Sequence, residues 1–167
     1  MSEGDAEADR PLPFDSDIEV SESADGSPRP VHLNWRFIGL VFLGGALGTV
    51  CRCYAEGLLP DWNGIPLGVA AVNLAGAFAL GLVLESLVRP GGDSGSRRTL
   101  RLLVGTGFLG GFTTYSSLAA GVEGLLRGGD PWGALLYGGG TVLAGAAATV
   151  LGIAAAHRRR RRAKGPA

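Results

Sequence analysis

Four stretches of this chain carry almost no charge, and their lengths leave few architectures open. About 20 consecutive apolar residues, at ~1.5 Å each, cross the hydrocarbon core of a bilayer, so a long uncharged run reads as a transmembrane helix. Residues 62–84, 102–122 and 132–156 meet this directly. A fourth run, residues 37–51, is shorter, but Trp35 and Tyr54 flank it as interfacial aromatics. It extends to about Leu59 if Arg52 lies inside the membrane. The expected fold is an all-α membrane protein of four transmembrane helices, at about 35–59, 62–88, 100–126 and 132–156, with the third helix interrupted. In a chain of 167 residues this leaves almost no room for an extramembrane domain.

The charges are segregated. Residues 1–30 hold nine of the fifteen acids, and residues 1–34 read as a disordered acidic N-terminal tail. They lack the basic start and apolar core of a signal peptide. Residues 157–167 hold six bases and no acid, a basic cytoplasmic tail. Directly after an apolar helix such a run is a topology anchor rather than a nucleic-acid site. With four spans, the side bearing both termini carries Arg36, Arg89, Arg97, Arg98, Arg101 and the six tail bases, while the other carries only Arg127. Basic residues near span ends stay in the cytoplasm. The chain is therefore expected as a multi-pass protein of the cell membrane with both termini cytoplasmic.

Enzymatic chemistry finds little here. Cys51 and Cys53 offer neither a disulfide framework nor a spaced metal quartet, and His32 and His157 lie outside the apolar runs. No nucleophile–base pair is visible, so the chain is not read as an enzyme. No carboxylate occupies the middle of a span, which disfavours a proton-coupled antiporter.

Polar groups within the spans carry what chemistry there is, because in hydrocarbon they face a bundle interior or a water-filled path. Arg52 is either half of a structural ion pair with Glu56, one turn on, or a fixed positive charge in a vestibule. Gly44, Gly45 and Gly48 before it form a small-residue face for close helix contact. Asn73 is the only amide in the interior of the second span, with Gly76 and Ala77 on the same face. It is either a pore-lining donor or an interhelical hydrogen bond. In the fourth span Tyr137, Thr141, Gly145, Ala148 and Gly152 share a stripe that also suits simple packing. Residues 105–117 are the densest stretch, with four glycines and five Ser/Thr. Glycine entropy and hydroxyl back-bonding weaken a helix there, and an interrupted helix frees carbonyl oxygens for a hard cation and N–H or O–H donors for an anion. The G-x-G-x-x-G at Gly105–Gly110 lacks any βαβ context and is not read as a dinucleotide site.

Taken in order, these residues resemble the CrcB/Fluc family of bacterial fluoride channels, four-span proteins that work as antiparallel, dual-topology dimers. The matching motifs are Gly44-Gly45, Gly48 and Arg52 in the first span, and Asn73 and Gly76 in the second. In the third they are Gly110-Gly111, Thr113-Thr114 and Ser116, and in the fourth Tyr137 and Thr141. The resemblance covers about residues 37–152 and implies passive, fluoride-specific efflux. It implies a structural, non-transported Na⁺ on the main-chain oxygens of Gly110 and Thr113. Asn73, Thr114, Tyr115, Ser116, Tyr137 and Thr141 would line the fluoride pore, and Arg52 would supply the vestibule charge. The sequence departs from the family in having Val69 where Thr is frequent, and Tyr115 and Leu118 in place of two phenylalanines.

Two departures bear on assembly. Leu118 supplies no aromatic ring edge, and the lopsided basic charge fixes one orientation, whereas an antiparallel homodimer needs its chain to insert both ways. The expected partner, besides fluoride and membrane lipid, is therefore an oppositely oriented paralogue in a heterodimer, ahead of a homodimer. The competing readings are a small-molecule exporter of the small four-span type and a non-conducting membrane assembly partner.

Overall fold

The computed structural model describes residues 20–22, 28–30, 34–87 and 95–163. The chain divides into two compact units, Met1–Ile38 and Gly39–Ala167. In the first, β1 (Val20–Glu22) and β2 (Pro28–Pro30) pair antiparallel, with Val20 opposite Pro30. Asn34 starts the first helix: its Oδ1 accepts from the Arg36 N–H at 3.1 Å and its carbonyl from the Phe37 N–H at 2.9 Å. The rest of the acidic tail expected to be disordered, with Arg89 and Lys164 from the charge count, lies outside the described residues.

The second unit is helical. Helix α1 (Trp35–Glu56) enters it at Gly39 and is followed by α2 (Leu67–Leu87). Then come α3 (Ser96–Leu100), a π-helical stretch (Arg101–Leu109) and α4 (Gly110–Phe112), contiguous in sequence. After Thr113 and Thr114 the chain re-enters helix as α5 (Tyr115–Arg127), and α6 (Pro131–Ala163) closes it. Among the described residues, α1, α2 and α6 are each long and apolar enough to cross a membrane. Their surfaces suit lipid: Phe42, Leu47, Leu136, Leu143 and Leu151 are exposed, and Trp35, Tyr54 and Trp132 near helix ends and Trp62 in the α1–α2 connection are exposed as well, where amphipathic rings settle at a bilayer interface.

The helix starts and stops follow local chemistry. Asp130 precedes α6, its carboxylate accepting from the Gly133 N–H at 2.8 Å, and Pro131 takes the first helical position, where its missing N–H costs nothing. Between α1 and α2 the chain makes a tight turn in which Trp62 and Ile65 pair, with Asn63 and Gly64 at positive φ. At ~1.5 Å per residue the 33 residues of α6 run to about 50 Å, so Arg158–Arg162 stand on its last turns. That end is tied to α2 by Glu85, whose carboxylate accepts from Arg160 at 3.3 Å and lies 3.4 Å from His157 Nδ1.

Helices meet through glycine rather than through layers of large side chains. Without a hydrophobic driving force between helices in lipid, small residues that let backbones approach supply the packing. The buried residues of α1 are Gly44 and Gly48. A Cβ at Gly44 would run into the carbonyl oxygen of Leu103, and one at Gly48 into that of Phe108. From the other side, a Cβ at Gly111 would strike the carbonyl oxygen of Gly45. Helix α2 packs most extensively on α6, with Gly81 against the Thr149 carbonyl and Gly152 against the Phe78 carbonyl. A small apolar core of Val69, Leu118, Leu125, Ala134 and Tyr137 joins α2, α5 and α6.

Candidate functional site

Between α4 and α5 the backbone leaves helical geometry. Thr113 (φ −81°, ψ 155°) and Thr114 (φ −146°, ψ 122°) are extended. Unwound backbone away from water needs partners, and here side chains supply them to the Thr114 and Ser117 N–H groups. Asn73, reaching across from α2, places its carboxamide against the main chain of Thr114. Its Oδ1 accepts from the Thr114 N–H at 2.8 Å, and its Nδ2 donates to the Thr114 carbonyl at 2.9 Å. Thr114 then caps α5, its Oγ1 accepting from the Ser117 N–H at 3.1 Å, and it lies 3.1 Å from Ser116 Oγ. Thr113 turns back onto its own helix, its N–H and hydroxyl both donating to the Leu109 carbonyl at 3.0 Å.

Beside the break lies an open cavity of about 390 Å³ whose wall includes Asn73, Gly110, Thr113, Thr114, Tyr115 and Thr141. Six of the nine residues singled out from the sequence therefore share one wall. Ser116 does not line the cavity and meets the group through Thr114. Tyr137 is elsewhere, buried in the small core with its hydroxyl 3.4 Å from the Pro66 carbonyl. Arg52 is also apart from the cavity, and it makes no ion pair with Glu56. Arg52 Nε and Glu56 Oε1 are each buried without a hydrogen-bond partner. The structural pairing proposed for these residues does not form, which leaves the Arg52 charge uncompensated by its neighbour.

The two positions that depart from phenylalanine behave differently. Tyr115 is 82% exposed and Leu118 only 6%, although both border the cavity. Thr149, which also borders it, was not singled out. Its spacing of four and then eight residues from Gly145 and Thr141 was the available signal, since such residues share a helix face.

A family model described as CrcB-like protein, Camphor Resistance (CrcB), matches residues 39–153. The chain belongs to this family. The match takes in α2, both sides of the break and most of α1 and α6, so the cavity and its Asn73–Thr114 clamp lie inside the CrcB domain. Among similar proteins, "Fluoride-specific ion channel FluC 2" of Leifsonia xyli subsp. xyli is 47% identical over 125 residues, 75% of this chain and 86% of the relative. "Fluoride-specific ion channel FluC" of Methanopyrus kandleri is 39% identical over 129 residues, 76% of this chain and 94% of the relative. "Fluoride-specific ion channel FluC 1" of Cutibacterium acnes is 55% identical over a shorter stretch, 82 residues, 48% of this chain and 57% of the relative.

Proposed function

We propose that this CrcB-family chain is a fluoride-specific channel subunit, a conduit rather than an enzyme, that lets fluoride leave the cytoplasm down its gradient. The observation that carries the reading is the cavity at the helix break, where hydroxyls of Thr114 and Thr141 and the carboxamide of Asn73 border one space. Fluoride is small and strongly hydrated, so a path must replace its water with dense donors. Neither half of the broken segment, residues 96–112 or 115–127, has the ~20 residues a crossing needs. Together they supply a fourth span, with the break within the bilayer.

The same break fits a structural sodium ion. In a continuous helix the Thr114 N–H would bond the Gly110 carbonyl and the Ser117 N–H that of Thr113. Here those donors go to Asn73 and to Thr114 Oγ1. Gly110 is exposed and nothing lies within 4 Å of where its Cβ would stand, so a second subunit has room to approach. Two antiparallel subunits would bring four such carbonyls around one hard cation, which oxygen ligands suit. Bound there, sodium would neutralise carbonyl dipoles and hold the subunits together.

The preferred partner is a paralogue of opposite orientation. The basic residues of α6 and α3, with Arg36, crowd one side against Arg127 alone, which fixes the termini in the cytoplasm. The deciding experiment is fluoride efflux from liposomes, with chloride as the control anion. Purified chain reconstituted with its paralogue should release fluoride and retain chloride. Equal flux of both anions, or no flux either alone or with the paralogue, defeats the reading, and robust fluoride flux from this chain alone defeats the heterodimer. Reporter fusions at the C-terminus test orientation, and large populations on both sides of the membrane would defeat the fixed topology.

A further inference from the structure

Asn73 and Thr114 do more at the break than border a cavity. A carboxamide that accepts from and donates to the main chain of one residue, 41 positions away, imitates the pairing of a neighbouring β-strand. It thereby competes with the helix for the Thr114 N–H. Thr114 does the same one step on, holding the Ser117 N–H on its own side-chain oxygen. The two N–H groups diverted are those that a continuous helix would spend on the carbonyls of Gly110 and Thr113. The neighbouring N–H, that of Thr113, is left in its helical place on Leu109.

We propose that Asn73 and Thr114 are positioning residues for a cation site, keeping the main-chain oxygens of Gly110 and Thr113 free by drawing away their helical donors. The inference rests on the sodium reading above and assigns to two side chains the work of exposing ligands they do not themselves provide. Asn73 acts on the Gly110 oxygen and Thr114 on the Thr113 oxygen, so the two contributions are separable. Loss of either side chain lets the backbone rewind by one hydrogen bond and withdraw one oxygen per subunit from the cation.

The test measures thermal unfolding of the reconstituted channel, with its paralogue where pairing is required, across sodium concentrations at ionic strength held constant with N-methylglucamine. Wild type should be stabilised by sodium. Asn73→Ala and Thr114→Ala should each weaken the apparent sodium affinity by roughly 10- to 100-fold, the range for outer-shell partners of metal ligands. Thr114→Ser keeps the capping oxygen and should retain the wild-type sodium response, while Asn73→Asp keeps an oxygen for the Thr114 N–H but loses the Nδ2 donor and should fall between wild type and Asn73→Ala. A role for Asn73 solely as a donor to fluoride predicts the opposite: Ala and Asp would lower flux alike and leave the sodium response untouched. The carbonyl ¹³C shift of Gly110 supplies a second readout, moving with sodium in wild type and fixed at its helical value in Asn73→Ala. Should Asn73→Ala fail to assemble, the Thr114 pair tests the proposal by itself. Alanine variants with an unchanged sodium response overturn the positioning role while leaving the sodium site standing. A wild type indifferent to sodium overturns both.

Discussion

Two sets of glycines in this protein have opposite surroundings. Gly44, Gly48, Gly107 and Gly111 stand where α1 crosses the helical stretch before the break, and a Cβ there would meet main-chain atoms of the other element. Gly110, Gly139 and Gly140 are exposed, and a Cβ at any of them would meet nothing within 4 Å. Backbone against backbone has no flexible side chain to give way, so the first set defines the protomer's own packing. The open set leaves the protomer indifferent, so any demand for glycine there would have to come from outside it. Gly110 and Gly111 are adjacent in sequence and fall on opposite sides of this divide.

The largest effect is expected at the crowded crossing. Gly48→Ala puts a methyl group into the Phe108 carbonyl. With main chain on both sides the penalty should exceed the ~1–3 kcal/mol typical of overpacked cores. Loss of monodisperse protein on size-exclusion chromatography is the measurement; a well-behaved Gly48→Ala protein would mean that α1 does not cross there so closely. Gly110→Leu is next. It should leave the helical circular dichroism of the protomer unchanged yet abolish subunit pairing and fluoride flux, because in the proposed dimer the side chain would project toward the partner. Normal crosslinked dimer in that variant would remove Gly110 from the interface. The smallest effect belongs to Gly139→Ala. Replacing glycine in an open helical position recovers roughly 0.5–1 kcal/mol of backbone entropy, so the melting temperature should rise slightly, and a marked fall would reveal a neighbour at that face.

Much of this organisation is legible in the sequence because membrane solvation writes itself into composition. The apolar runs mark α1, α2 and α6, and the cluster of glycines and hydroxyls in residues 105–117 marks the stretch where the helix breaks. What cannot be read locally are the partners across space. Asn73 has the same appearance in sequence whether its donors face an ion or the Thr114 main chain, and only the packing of α2 beside the break decides. Arg52 and Glu56 have helix-pair spacing, yet they do not bond. Leu118 follows Tyr115 by three residues, and one is buried while the other is exposed. The π-helical stretch Arg101–Leu109 carries no signal beyond its glycines, of which Gly107 lies against the Val41 carbonyl of α1.

The two carbonyls stripped of their helical donors have a consequence for genetics. Main-chain oxygens are shared by every amino acid, so replacing the residue that bears one leaves the oxygen in place. An alanine scan of the break would pass over Thr113 with little effect and register strongly at Asn73, which lies 40 positions earlier on another helix. Selection at such a site acts on the neighbours that shape the backbone and not on the groups that would do the binding. A side-chain inventory of this protein, however complete, would therefore point away from the proposed cation ligands.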